Sequence, residues 1–234
     1  MYLEDIDYLA FQGESFWHKA SALSKIFFAV VVVAVVIVTQ KLLPLVLTLS
    51  FLLGLLLLAG VPLTKFGHLL FFPALFGSIF AFSRIGDSWW QAVLVIIKSV
   101  TAASSLLLLI ATTGAPAIFA CLRLIFPPVI VDALFITYRS FFILLGKLNN
   151  FFTALKMKGG YSPTNLVLNL RNTAGALGVL LIHSLETSER MYKVLALRGY
   201  QEGLLFSGRW YQPTKYDLGP LLSSTLVLLW VVML

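Results

Sequence analysis

Five apolar runs, most of them close to the length of a bilayer crossing, constrain this chain more than any other feature. They are Ile26–Val38, Leu42–Val61, Phe66–Phe82, Ala92–Ala111 and Leu218–Leu234. A helix of about 20 apolar residues crosses the hydrocarbon of a bilayer. Lipid offers no partner to a peptide group, so a single crossing segment must pair its backbone internally, and an α-helix does that. The β-branched and aromatic content of Ile26–Val38 therefore still implies a helix. Lys41 with Pro44, Pro62 with Lys65, and Arg84, Asp87, Trp89 and Trp90 mark the boundaries, the tryptophans forming an interfacial belt. Only 12% of the residues are charged, against roughly 25% in ordinary soluble domains. So few charges cannot cover a water-facing surface. The expected fold is an all-α, polytopic membrane helix bundle of about five spans. The last run is short enough for a tilted or shallow placement.

Residues 1–23 read as an N-terminal interfacial segment, with Phe16 and Trp17 at the membrane surface. Glu4, Asp5, Asp7 and Glu14 distinguish this stretch from a signal peptide, which has a basic start and an apolar core. Residues 24–111 read as transmembrane helices 1–4, with Lys19 and Lys25 flanking the first run. The fourth run carries a small-residue stripe, Ser99, Ala102, Ala103 and Ser105, which lets membrane helices approach closely. Lys98 lies in the same run. It reads as a lysine snorkelling toward the tryptophan boundary, with a functional intramembrane charge as the alternative. The single Cys121 excludes an intramolecular disulfide and a cysteine metal cluster.

Residues 112–216 have a different texture and read as a cytoplasmic or interfacial domain, followed by a C-terminal span over 217–234. After Pro127-Pro128, which can start a helix, a helical pattern runs 30 residues from Val129 to Lys158, roughly 45 Å. Asp132, Arg139, Lys147, Asn150, Thr153 and Lys156 recur near one face of it, and the other faces are Leu, Ile and Phe. Such a helix belongs at a boundary between membrane and water or membrane and partner. Thr164 is a candidate N-cap for a second long helix ending at Leu197. That helix has an apolar stripe at Leu166, Leu170, Ala174, Leu177, Leu181, Leu185, Tyr192 and Leu195. Glu186 with Arg190 and Glu189 with Lys193 form i,i+4 pairs in the favourable order.

Charge sets the expected orientation. Residues 115–216 hold 11 of the 17 Lys and Arg. Placing them inside also places Lys19, Lys25 and Lys65 inside and leaves only Lys41 and Arg84 outside, as the positive-inside bias requires. The N-terminus is then cytoplasmic and the C-terminus outside. Net charge of +7 is accounted for in this way without invoking nucleic acid.

No catalytic set stands out. His18, His68 and His183 are far apart, and neither H-E-x-x-H nor G-x-x-x-x-G-K-[ST] occurs. No cofactor or metal ligand set is expected. His183 reads as a hydrogen-bonded structural residue, and Glu186 and Glu189 as surface ion-pair partners. A membrane-bound enzyme using Arg139, His183 and Glu186, or a self-sufficient channel or secondary transporter, are the readings from other classes. The two helix ends remain. Ala196-Leu197-Arg198-Gly199-Tyr200 closes the second long helix, and Met157-Lys158-Gly159-Gly160-Tyr161 echoes it at the end of the first. A glycine stop and a terminal cation suit any helix C-terminus. Their repetition suggests a two-pronged basic surface for a partner, with Arg198 supplying forked hydrogen bonds.

At these residues the chain resembles the transmembrane T component of energy-coupling-factor (ECF) transporters, in the cobalt-type (CbiQ/EcfT) branch. The likeness is carried by Thr112-Thr113 through Leu122-Arg123, by Phe126-Pro127-Pro128 and by Thr137-Tyr138-Arg139. It is strongest from Ser184-Leu185-Glu186 through Glu189-Arg190-Met191-Tyr192 to Ala196–Tyr200, and His18-Lys19 to Lys25 also fits. The resemblance implies a bacterial or archaeal membrane protein with no enzyme activity of its own. It implies two cytoplasmic ATPase subunits as partners, each engaged by one long helix through an Ala-Arg-Gly-type motif. It also implies a separate membrane S component that captures the substrate, cobalt or alternatively nickel or a vitamin. Ala196, Arg198, Gly199 and Tyr200 match the second motif. At Lys158, Gly159 and Gly160 the first departs from it, with Gly159 at the arginine position and Met157 at the alanine position. There either Lys158 or Lys156 supplies the charge, or the end docks by shape and backbone.

Overall fold

The computed structural model describes residues 10, 13, 15–61, 63–84, 86, 89–160, 165–200 and 214–233. Every regular element among them is helical. In chain order these are α1 (Phe16–Lys19), α2 (Ala22–Val38), α3 (Leu42–Leu58), α4 (Leu63–Arg84), α5 (Trp89–Thr112), α6 (Ala115–Leu122), α7 (Pro128–Met157), α8 (Leu166–Leu197) and α9 (Leu218–Met233), with a 3-10 turn at Lys215–Asp217 before the last. Four stretches are long and apolar enough to cross a membrane: Gly67–Arg84, Trp89–Thr112, Pro128–Met157 and Leu166–Leu197. The apolar helices Ala22–Val38 and Leu42–Leu58 are each 17 residues, roughly 25 Å. The chain is thus an all-α polytopic membrane protein. It divides into two compact units, Met1–Cys121 with Phe206–Leu234, and Leu122–Leu205.

In the first unit, α5 is the helix against which α2, α3 and α4 pack, and α9 packs on α2. The core joins Phe28, Val32, Val35 and Val36 of α2, Leu45, Leu52, Leu55 and Leu56 of α3, Leu107, Leu108 and Ala111 of α5, and Val227 of α9. Lipid is as apolar as leucine, so burial here contributes through close packing rather than escape from water. The small-residue stripe on α5 serves that packing. A Cβ built on Gly77 of α4 would lie 2.9 Å from Ser99 Oγ and 3.1 Å from Ser99 Cβ. Thr101, Ser104 and Ser105 are buried. Each returns its hydroxyl to a carbonyl of the preceding turn, Ile97, Val100 and Ala102, at 2.7–2.8 Å. The polar groups are therefore satisfied within the helix, and the stripe is free to pack.

Two polar contacts tie the ends of this unit together. α2 begins at Ala22, with the Ser21 hydroxyl accepting from Ser24 N at 3.4 Å. Lys25, read from sequence as a flank, therefore lies inside the helix and is 3% exposed. Its ammonium donates to Thr112 O at 2.9 Å and His18 O at 3.4 Å. Thr112 is the last residue of α5, where carbonyls lack helical partners. The second contact is Asp217. Its Oδ1 accepts from Ser21 N at 2.6 Å and Ser24 Oγ at 3.1 Å, and its Oδ2 accepts from Thr214 N at 2.8 Å. Burial pushes this carboxyl upward, but the hydrogen bonds from Thr214, Ser21 and Ser24 outweigh it and hold it below the usual carboxylate range. Lys98 donates its ammonium to Ile37 O, in the last turn of α2, at 3.2 Å.

Candidate partner-docking helix ends

The ends of α7 and α8 are built alike. Lys158 and Arg198 are the C-caps, with φ,ψ of −84°,6° and −84°,4°. Gly159 and Gly199 follow with φ of 70° and 73°, in the left-handed region that side chains disfavour. Gly160 N then donates to Leu155 O at 2.9 Å and Gly159 N to Lys156 O at 3.2 Å. At the second end Tyr200 N donates to Leu195 O at 3.1 Å and Gly199 N to Ala196 O at 3.0 Å. Both are Schellman caps. This geometry corrects the register read from sequence. Gly159, not Gly160, is the counterpart of Gly199, and Lys158 stands where Arg198 stands. Met157 is then the counterpart of Leu197, and Lys156 of Ala196.

The cap itself is a general device. α3 ends the same way, Val61 N on Leu56 O at 3.2 Å and Gly60 N on Leu57 O at 3.0 Å, with Gly60 at φ 75°. There Ala59 holds the cap position, and Ala59 and Val61 are buried. What distinguishes α7 and α8 is an exposed cation on an exposed cap: Lys158 and Gly159, and Ala196, Leu197, Arg198 and Gly199, are all exposed.

Three cross-links set how the two long helices run. Tyr200 Oη donates to Asp132 Oδ2 at 2.7 Å, Lys147 Nζ donates to Thr187 Oγ1 at 3.4 Å, and Asn172 Nδ2 donates to Gly160 O at 2.5 Å. As the position rises along α7 it falls along α8, so the pair is an antiparallel hairpin. The two caps lie at opposite ends of it, separated by roughly the 45 Å length of α7. Both Asp132 and Tyr200 belong to this hairpin, and Tyr200, read as a partner residue, spends its hydroxyl within the chain.

The faces of the hairpin are also distributed in an unexpected way. α8 turns Ala176, Leu180, Ser184, Thr187 and Met191 toward α7, across grooves of about 480 and 410 Å³. The leucine stripe from Leu166 to Leu185 points elsewhere: Leu166, Leu170, Leu177, Leu181 and Leu185 are 49–75% exposed, whereas Tyr192 and Leu195 at its far end line the groove. A hairpin in water would do the reverse. Hydroxyl and small residues such as Ala176, Ser184 and Thr187 share the inner face with Leu180, Met191 and Leu195, while the leucines from Leu166 to Leu185 are left outside, as in helices whose surroundings are apolar.

Other sequence expectations fare variously. Asn165, not Thr164, caps α8, its side chain accepting from Leu168 N at 3.1 Å; Thr164 and Tyr161 lie outside the described residues. Glu186 pairs with His183 at 3.3 Å instead of with Arg190, and Glu189 forms no ion pair with Lys193. Exposed i,i+4 pairs stabilise by only about 0.3–0.5 kcal/mol, which does not hold long side chains in one geometry. Among the described residues no group of three His, Cys, Asp or Glu is placed to hold a metal.

The described residues thus form an all-helical polytopic membrane bundle. The family model of the cobalt transport protein, CbiQ, matches residues 14–207. The chain belongs to that family. No individual curated protein matches it.

Proposed function

We propose that this chain is the T component of an ECF-type importer for cobalt ion, with nickel or a vitamin as the alternative substrate. It transmits the motion of two cytoplasmic ATPase subunits to a separate membrane S component that captures the substrate. The observation that carries this reading is the hairpin with one exposed cationic Schellman cap at each end. Two sites separated by roughly 45 Å suit two partner subunits rather than one groove. In this reading Arg198, with Ala196, Gly199 and Tyr200 around it, docks into one ATPase, and Lys158, with Gly159 and Gly160, into the other. Residues 112–216 form the coupling domain.

The same reading bears on orientation. If the hairpin crossed the bilayer, its two caps would face opposite sides, and one cation would be outside against the positive-inside bias. Lying along the cytoplasmic surface, it presents both caps to the same compartment and its leucine stripe to apolar surroundings. The N-terminus is then cytoplasmic.

The experiment is affinity purification of the full chain from its native membrane. Two ATPase subunits and a small membrane protein should co-purify, and Arg198→Ala should reduce ATPase retention and metal uptake together. Retention and uptake both at wild-type levels in that variant would refute the coupling role.

A further inference from the structure

We propose that Asp132 and Asn172 are positioning residues that aim the two cationic caps, each by clasping the residue that leaves the opposite helix. This rests on the docking reading above. Tyr200 and Gly160 occupy the same place, two residues beyond their C-caps. Each is held by the second turn of the other helix, Tyr200 through its hydroxyl to Asp132 and Gly160 through its carbonyl from Asn172. The hairpin is thus closed twice by the same device, related by reversal of the two helices.

The two clasps differ for a local reason. A Cβ on Gly160 would lie 3.0 Å from Leu155 Cδ1 and 3.3 Å from Leu155 O. Gly160 has no side chain, so its backbone carbonyl is the group the clasp uses. At the other end Tyr200 supplies a side chain, and Asp132, 1% exposed, supplies a carboxylate. A buried carboxylate is costly without hydrogen bonds, so Asp132 binds the hydroxyl firmly.

Positioning matters because the end of α8 has little packed against it. Leu197 is 89% exposed, and an exposed last turn frays unless the departing chain is held. A frayed turn would let the guanidinium of Arg198 sample many directions and raise the ordering cost of docking. Tyr200 therefore aims Arg198 through its hydroxyl while standing at the same docking end.

The test uses the full chain in detergent with the ATPase subunits that co-purify with it. Tyr200→Phe and Asp132→Ala should each weaken ATPase binding about 5–10-fold, and the double variant should bind no worse than Asp132→Ala alone. Asp132→Asn keeps an acceptor and should recover most of the loss. Amide exchange at Gly199 and Tyr200 should accelerate about tenfold in Tyr200→Phe, with the middle of α8 unchanged. If Arg198→Ala itself binds normally, the docking reading fails and this inference with it. If Arg198→Ala loses binding while Tyr200→Phe and Asp132→Ala bind as wild type, the clasp is overturned and the docking reading stands. Should Asp132→Ala fail to fold, Tyr200→Phe, which removes a single oxygen, decides alone.

Discussion

The ammonium of Lys25 lies 2.9 Å from the carbonyl oxygen of Thr112, joining the first turn of α2 to the last residue of α5. A lysine beside an apolar run ordinarily reaches out to the interface. This one turns inward, because the end of α5 presents carbonyls without helical partners and the favourable end of its dipole.

Replacing Lys25 with Met should therefore destabilise the chain by about 2 kcal/mol, the scale of a hydrogen bond made by a charged group. Unfolding of the purified protein in mixed detergent micelles measures this. Lys98→Met, at an exposed site, should cost under about 1 kcal/mol by comparison.

Asp217 should make stability acid-sensitive. Its folded carboxyl titrates below its unfolded value, which is near 3.9 for aspartate. Its contribution is then complete above that value and is lost as pH falls through the folded one. In melts from pH 7 down to pH 3, Asp217→Asn should be the less stable variant at neutral pH. The gap to wild type should narrow as the pH falls. A gap independent of pH would contradict the assignment.

Gly77 and Ser99 set the approach of α4 to α5. Gly77→Val should cost about 1–3 kcal/mol by overpacking. Ser99→Ala removes the oxygen 2.9 Å from where a Cβ on Gly77 would lie. It should relieve only part of the cost, because Ser99 Cβ remains at 3.1 Å. Melting of the single and double variants resolves the two contributions.

Glycines in α7 and beyond α8 should respond with opposite signs. Gly146 lies within α7 with open space around its Cβ position. Gly146→Ala should stabilise by about 0.5–1 kcal/mol through helix propensity. Gly199 has φ 73°, so Gly199→Ala should destabilise the cap by about 1–2 kcal/mol. Comparing the melting temperatures of the two variants checks the sign of each.

Most of the fold was legible in the sequence because its signals are local. Run length and scarce charge imply helices in lipid. Pro128 opens α7, and Gly159 and Gly199 close α7 and α8 near the expected places. The candidate residues of the site were legible for the same reason, since a terminal glycine and a cation are adjacent in the chain. Their register was not. Gly159-Gly160 offers two glycines, and only the hydrogen bonds from Gly159 and Gly160 to Lys156 and Leu155 decide which one bends the chain.

That this is a helical membrane chain with two long helices, each stopped by a glycine after a cation, follows from the residues alone. Backbone satisfaction in lipid and the backbone freedom of glycine require no knowledge of distant residues. Packing in three dimensions was needed to place the two caps at opposite ends of one hairpin, to bury Lys25 on Thr112 and to set Tyr200 against Asp132. Periodicity tells which residues share a face, but not what that face meets. The partners of Lys25 and Tyr200 are 87 and 68 residues away, and only packing brings them into hydrogen-bonding distance.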